Sequence, residues 1–129
     1  FTIWYGTYCF SKRELIFASG GHPPGFLVRS NEDKVEDLYT KQLIVGAMED
    51  AEYFSQKISL GKGDRIFIFS DGIFELVKPD GKDLSFDEFR EIFSSEKEKS
   101  PQNIFNCMKT IQGSDHFEDD FTLVEVALN

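Results

Sequence analysis

The sequence has few cysteines and no long apolar run. Cys9 and Cys107 lie far apart, without CxxC spacing or a neighbouring His or Cys that would indicate zinc. We interpret both as small buried hydrophobic residues and predict a reducing, cytoplasmic location. No segment approaches the length of a transmembrane helix, and no basic stretch precedes an apolar one as in a signal peptide. The domain is therefore predicted to make no direct membrane contact.

Basic residues are also scarce. The 129 residues include 14 Lys and Arg against 23 Asp and Glu, which gives a net charge of −9 at pH 7. Nucleic-acid binding depends on Lys and Arg at phosphates, so nucleic acid is excluded as the expected partner. The length indicates one domain with its own core. Since the chain starts at Phe1, without Met and inside a strand-like run, we expect a piece of a larger polypeptide.

Apolar alternation and turn residues predict hairpins followed by two helices. Capping residues mark helix ends. Ser85 and Glu88 form an S-x-x-E capping box at the start of the first helix. Ser100 and Pro101 mark the start of the second helix, and Gly113 marks its end. The charged stretch between the helices, 95–99, is predicted to be a solvated loop. The first predicted hairpin pairs strands 3–10 and 15–19, and the second pairs strands 53–60 and 66–69. Further strands are predicted at 26–28, 35–38 and 121–128. The predicted helices are 86–94 and 101–112.

The sequence RIFIFSDGIFE, residues 65–75, contains the most apolar strand of the chain. Its odd and even positions are both apolar, as in a central strand that is covered on both faces. It ends in Ser70, Asp71 and Gly72. A carboxylate beside a buried strand must be balanced by a cation or by several donors, which makes Asp71 a candidate ligand. The alternative is a tight turn, in which Asp-Gly is common.

A second acidic site precedes the last strand, where Asp119 and Asp120 stand together. If the last strand runs antiparallel beside the central one, these carboxylates converge on Asp71. Two carboxylates about 4 Å apart repel by about 1 kcal/mol in water and about 4 kcal/mol at an effective dielectric of 20. Oxygen ligands without His or Cys select Mg²⁺ or Mn²⁺. Adjacent strand residues point to opposite faces, so only one of Asp119 and Asp120 is expected to bind the ion. The alternation along the strand does not show which one. The alternative is that both residues only cap the strand.

The segment GGHPPG, residues 20–25, cannot be helical, because it holds three glycines and two prolines. It is predicted to form a rigid loop that contains Gly21 and His22. A lone histidine in such a loop more often fixes the loop than catalyses a reaction, and both interpretations stay open on the residues alone.

The stretches ASGGHPPGFLV, GDRIFIFSDGIFE and EDDFTLVEV, in this order, resemble the metal-dependent type 2C serine/threonine protein phosphatases, in the bacterial branch of SpoIIE and RsbU. The resemblance covers essentially the whole chain. It implies an α+β fold, a sandwich of two antiparallel β-sheets flanked by helices, with a two-metal Mn²⁺ or Mg²⁺ centre between the sheets. It also implies that residues 1–129 are the C-terminal portion of one such domain, incomplete at the N-terminus.

Matched by position, Asp71 looks like a metal ligand of this family, with Gly72 as the adjacent backbone. Asp119 looks like the second ligand and Asp120 occupies the variable position beside it. Gly21 and His22 fall where the bacterial branch commonly has Gly-His, which implies a structural role for His22. The family's first metal motif would lie before Phe1, so this chain alone would lack one ligand.

The resemblance implies attack by a metal-activated water on phosphoserine or phosphothreonine, with no catalytic side chain in this segment. It further implies a phosphorylated regulator as substrate, such as an anti-sigma-factor antagonist, and an upstream sensor domain. A haloacid-dehalogenase-type phosphohydrolase would need a D-x-D pair, but Phe69 and Ile73 flank Asp71 at that spacing. A non-catalytic regulatory module derived from the phosphatase fold remains the alternative.

Overall fold

The computed structural model describes residues 1–129, which form seven strands, one short 3₁₀ turn and two α-helices. The chain divides into two compact units: the first comprises residues 1–66 and 126–129, and the second comprises residues 67–125. No helix is long and apolar enough to cross a membrane. The elements are β1 (Ile3–Cys9), β2 (Glu14–Gly20), β3 (Gly25–Val28), β4 (Val35–Leu38), β5 (Gln56–Ser59), β6 (Arg65–Phe69), the 3₁₀ turn (Asp71–Ile73), α1 (Phe86–Ser95), α2 (Pro101–Gln112) and β7 (Leu123–Ala127).

The strands form two antiparallel sheets, which confirms the predicted class of two antiparallel sheets with helices. The first sheet has the order β1-β2-β5 and the second has the order β4-β3-β6-β7. The predicted hairpin β1–β2 is present, with Ile3 opposite Gly20 and Cys9 opposite Glu14. In β6, Ile66, Phe67 and Phe69 are buried, as expected of an interior strand.

The second predicted hairpin, 53–69, is wrong. β5 pairs with β2 in the first sheet, whereas β6 lies in the second sheet. The partner of β5 is fixed by contacts to the first hairpin: Lys57 Nζ lies 3.0 Å from a Glu14 carboxylate oxygen, and the Leu60 N–H donates to the Arg13 carbonyl oxygen at 2.8 Å. Residues 61–64 therefore connect two sheets instead of closing a hairpin.

A buried carboxylate, Asp64, organises that connection. It is only 2% exposed and accepts hydrogen bonds from the backbone N–H groups of Gly61 (2.7 Å) and Ser30 (3.0 Å) and from Arg29 Nη1 (3.1 Å). Burial alone would raise the pKa of Asp64, but these donors outweigh it and hold the pKa below its ordinary value. The carboxylate thus joins the start of β6 to the end of β3 within the first unit.

Both helices of the second unit begin as predicted; α2 also ends as predicted, at Gln112, and α1 ends one residue later than predicted, at Ser95. The Ser85 side chain accepts from the Glu88 N–H, and the Glu88 carboxylate accepts from the Ser85 N–H at 2.8 Å, so the capping box is complete. This backbone bond and the hydrogen bond from Lys78 Nζ lower the pKa of Glu88 to about 2. Ser100 caps α2, and Gly113 ends it at a positive φ of 71°.

Two expectations about exposure are wrong. Lys99, predicted to lie in a solvated loop, is only 2% exposed, and its Nζ donates to the carbonyl oxygen of Glu96 at 2.7 Å. The ammonium thereby satisfies a carbonyl group at the C-terminus of α1. Cys9 and Cys107 are free and only half-buried, because Cys9 lies at the end of an outer strand and Cys107 lies at the rim of the buried face of α2.

Candidate metal centre

The end of β6 passes directly into the 3₁₀ turn that presents Asp71. Ser70 is extended (φ −78°, ψ 161°), and the turn then forms from Asp71 to Ile73. The Asp71 carbonyl oxygen accepts from the N–H groups of Phe74 (3.0 Å) and Glu75 (2.9 Å). Asp71 Oδ1 accepts from the Gly72 N–H at 3.0 Å. This winding places Glu75 one turn after Asp71, so the side chains at i and i+4 share a face.

The segment before β7 is held against this turn by Ser70. The Ser70 N–H donates to the Thr122 carbonyl oxygen at 3.0 Å, and the Ser70 hydroxyl donates to the Asp120 carbonyl oxygen at 2.9 Å. The approach requires a glycine at position 72: a Cβ added there would overlap the Asp120 carbonyl oxygen and would lie 3.4 Å from the Asp119 carbonyl carbon. Gly72 thus lets the two acidic segments meet.

Three carboxylates converge at this meeting point. Oxygen atoms of Asp71, Glu75 and Asp119 all lie within 4.8 Å of one another, and all three side chains are exposed. No Lys or Arg forms an ion pair with any of them. Carboxylates at this separation repel one another, and a divalent cation with oxygen ligands relieves the repulsion. The donor set therefore fits Mg²⁺ or Mn²⁺ and not a softer metal.

The geometry distinguishes the two aspartates, between which strand parity alone did not choose. The carboxylate of Asp119 belongs to the cluster, whereas that of Asp120 does not. Asp120 contributes its backbone instead: its carbonyl oxygen accepts from Ser70, and its N–H donates to Asp119 Oδ1 at 2.7 Å. The geometry thus favours Asp119 as the ligand, with Asp120 in a supporting position.

Sequence reasoning missed Glu75. Its signal is the spacing of four from Asp71, which brings the two side chains to one face only if the segment winds as a helical turn. Without the 3₁₀ turn that follows β6, nothing in the sequence distinguishes Glu75 from an ordinary surface glutamate.

Gly21 and His22 lie in the first unit, directly after β2. Gly21 has a positive φ of 65°, and its N–H donates to the Gln42 carbonyl oxygen at 3.1 Å. A Cβ at this position would overlap the side chain of Ile44, so both the space and the conformation require glycine. His22 Nδ1 is hydrogen-bonded to the carbonyl oxygen of the adjacent Pro23 at 2.8 Å. This contact lies inside the loop, and the structural role of His22 stays a prediction.

Comparison with known proteins gives a family match along the whole chain. The model of the family "Stage II sporulation protein E (SpoIIE)" matches residues 1–129. The phosphoserine phosphatase RsbU of Bacillus subtilis is 32% identical over 130 residues, which cover 95% of this chain and 37% of RsbU. The chain therefore spans little more than a third of this curated relative.

Two solved structures show the same fold. The first holds the PP2C phosphatase domain and a fragment of the regulatory domain of SpoIIE from Bacillus subtilis; it superposes with a TM-score of 0.77 at 23% identity, covering 98% of this chain and 37% of that one. The second holds the RsbU and RsbW domains of Rv1364c from Mycobacterium tuberculosis; its TM-score is 0.70 at 23% identity, covering 96% of this chain and 35% of that one. Both share the fold of this chain, and the first confirms that the fold is type 2C phosphatase-like.

Proposed function

This chain belongs to the SpoIIE family, and from that premise we propose that the protein containing it is a metal-dependent phosphatase acting on phosphoserine or phosphothreonine in a regulatory protein. The observation that carries the proposal is the convergence of the Asp71, Glu75 and Asp119 carboxylates. An exposed, all-oxygen site suits a hard cation and remains open to a phosphoryl group from solvent.

Asp71 and Asp119 are the residues proposed to hold the metal, with Glu75 as the third carboxylate of the same cluster. Family relatives of the PP2C type are metal-dependent, and Mn²⁺ and Mg²⁺ both fit an oxygen donor set. When bound, such an ion lowers the pKa of a coordinated water and neutralises charge on phosphoryl oxygens.

The chain's own residues position these ligands. Ser70 fixes the segment that carries Asp119 through its bonds to Asp120 and Thr122. Backbone N–H groups of Gly72 and Asp120 donate to Asp71 Oδ1 and Asp119 Oδ1, which orients both carboxylates before an ion arrives. No Ser or Cys nucleophile would be required, because an ion held by Asp71 and Asp119 would supply an activated water.

The substrate proposed is a phosphorylated regulator such as an anti-sigma-factor antagonist. Two observations support this class: the curated relative is a phosphoserine phosphatase, and a relative of similar fold carries RsbU and RsbW domains in one chain. The intact protein would then act in partner-switching control of a sigma factor, with a sensor or regulatory domain upstream. We also propose that residues 1–129 are the C-terminal portion of the phosphatase domain, and that a further metal ligand comes from the segment before Phe1.

The test uses the intact protein that contains this chain. Phosphoserine peptides and phosphorylated regulator proteins would be incubated with Mn²⁺ or Mg²⁺, and phosphate release would be measured alongside calorimetric titration of each metal. We expect Mn²⁺-dependent release that Asp71→Asn and Asp119→Asn abolish together with metal binding. Metal binding without hydrolysis, or neither, would overturn the enzyme proposal in favour of a non-catalytic regulatory module.

A further inference from the structure

A small cavity in the second unit adjoins the carboxylate cluster. It has a volume of about 190 Å³ and is lined by residues 75–77, Gln112, Ser114, His116 and Glu118. Glu75 belongs both to the cavity lining and to the Asp71–Glu75–Asp119 cluster, so the two features are contiguous. Small-molecule pockets usually measure about 300–1,000 Å³, so this cavity fits a single side chain better than a cofactor.

The lining combines negative charge with apolar surface. Glu118 supplies a carboxylate outside the metal cluster, Glu75 supplies one that is shared with the cluster, and the lining holds no Lys or Arg. Leu76 and Val77 supply apolar contact area. This combination suits arginine and lysine side chains, because their aliphatic stems pack on apolar groups while their charged ends pair with carboxylates.

The cavity wall formed by the segment after α2 is already ordered. Gln112 Nε2 donates to the carbonyl oxygens of Ser114 and His116, both at 2.8 Å, and the His116 N–H donates to the Ser114 hydroxyl at 3.2 Å. Leu76, which also lines the cavity, is held by two backbone bonds: its N–H donates to the Phe74 carbonyl oxygen, and its carbonyl oxygen accepts from the Leu84 N–H, each at 2.8 Å. Such pre-organisation reduces the entropy lost when a ligand binds.

From this geometry we propose that the cavity is a specificity subsite, which receives an arginine or lysine side chain next to the phosphorylated residue of the protein substrate. The inference rests on the proposed phosphatase function and assigns the substrate class of the same site. An extended peptide advances about 3.3–3.6 Å per residue, so a residue one or two positions from the phosphoserine reaches a cavity that begins at Glu75. The overall charge of −9 also favours a basic segment over an acidic one.

The experiment measures kcat/KM of the intact protein for phosphoserine peptides that differ at one flanking position, which carries Arg, Ala or Glu. We expect the order Arg above Ala above Glu at one of the positions −2 to +2. Glu118→Gln is expected to reduce the Arg-to-Ala ratio about fivefold to tenfold, which corresponds to losing one charge interaction of about 1.0–1.4 kcal/mol. Glu118→Lys is expected to invert the preference between Arg and Glu peptides.

Glu91→Gln and Glu91→Lys are the matched controls, because Glu91 is an exposed glutamate of α1 that lines neither the cavity nor the cluster. They are expected to retain the wild-type peptide ratios. Equal ratios in wild type and Glu118→Gln, or no preference for a basic residue at any position, would overturn the subsite. Hydrolysis of para-nitrophenyl phosphate with Mn²⁺ separates the two proposals: its absence would overturn the phosphatase function itself, whereas activity without a peptide preference would overturn only the subsite.

Discussion

Ser70 and Thr122 are joined by two hydrogen bonds, because the Ser70 N–H donates to the Thr122 carbonyl oxygen and the Thr122 N–H donates to the Ser70 hydroxyl, each at 3.0 Å. The same hydroxyl donates to the Asp120 carbonyl oxygen. One small side chain at the end of β6 therefore determines where the Asp119 carboxylate lies relative to Asp71.

Ser70→Ala removes both hydroxyl bonds and leaves the backbone bond in place. We expect a loss of about 1–2 kcal/mol in the free energy of unfolding, measured by urea denaturation, and weaker Mn²⁺ binding by calorimetry. Ser95→Ala is the control, because it removes one exposed hydroxyl bond, to the Ile92 carbonyl oxygen, at the end of α1. Equal Mn²⁺ affinity in the two variants would show that Ser70 does not position the cluster.

Asp119→Asn and Asp120→Asn are expected to differ in Mn²⁺ affinity, although the two residues are neighbours. Mutating a residue that only supports a metal ligand lowers metal affinity about 10- to 100-fold. Asp119→Asn removes a direct ligand, so it should lower Mn²⁺ affinity by more than about 100-fold. Asp120→Asn should weaken Mn²⁺ binding by about threefold or less, because its exposed carboxylate lies outside the cluster and acts only through screened charge. Calorimetric titration of the intact protein distinguishes them; the reverse order would make Asp120 the ligand.

Gly72→Ala is expected to destabilise the second unit, although residue 72 has no positive φ. The added methyl group would overlap the Asp120 carbonyl group, and backbone atoms cannot move aside as the end of a flexible side chain can. Such overpacking costs about 1–3 kcal/mol. Gly61→Ala is the control: its Cβ would meet nothing closer than 3.6 Å, and its effect should stay within about 0.5 kcal/mol. Thermal unfolding of both variants tests the difference.

Asp64→Asn is expected to lower the free energy of unfolding by about 2–4 kcal/mol, because a buried carboxylate with three hydrogen-bond donors is replaced by a neutral amide. Glu36→Gln is the control: Glu36 pairs with the same arginine, Arg29, but its side chain is 33% exposed, so the loss should be about 0.5 kcal/mol. A similar loss in both variants would place the stabilising interaction in Arg29 and not in the buried carboxylate.

The same carboxylate makes stability depend on pH. Because the native pKa of Asp64 lies below its unfolded value of about 3.9, the unfolded state binds the proton first as the pH falls. Its contribution is therefore fully present above the unfolded pKa and is lost as the pH falls toward the native pKa. Denaturant titrations between pH 6 and pH 2 should show a shallower decline for Asp64→Asn than for wild type.

Local signals in the sequence predicted the parts of the fold that depend on local contacts. The capping box of Ser85 and Glu88 and the end of α2 at Gly113 rest on residues within one helical turn, and both are present as predicted. The hairpin β1–β2 likewise joins adjacent strands across a short turn. Such features can be recognised without knowledge of distant partners.

Features that depend on distant partners were predicted only in part. The pattern of residues 53–60 indicated a strand but did not encode that its partner is β2. The charge of Lys99 suggested solvent, although its ammonium finds a carbonyl group at the end of α1. Asp71 and Asp119 could be paired because two strand ends were expected to meet, whereas Glu75 required the turn itself.

The separation of Asp71 and Asp119 along the chain gives their meeting a further consequence. An ion shared by these carboxylates would close a loop of 119 − 71 = 48 residues, and so act as a removable cross-link. Because the ion would be released on unfolding, it would stabilise the native state by binding to it, and not by restricting the unfolded chain as a covalent cross-link does. The unfolding temperature of the second unit would then rise with the logarithm of the free Mn²⁺ concentration, so that the supply of the ion would set the thermal stability of this unit.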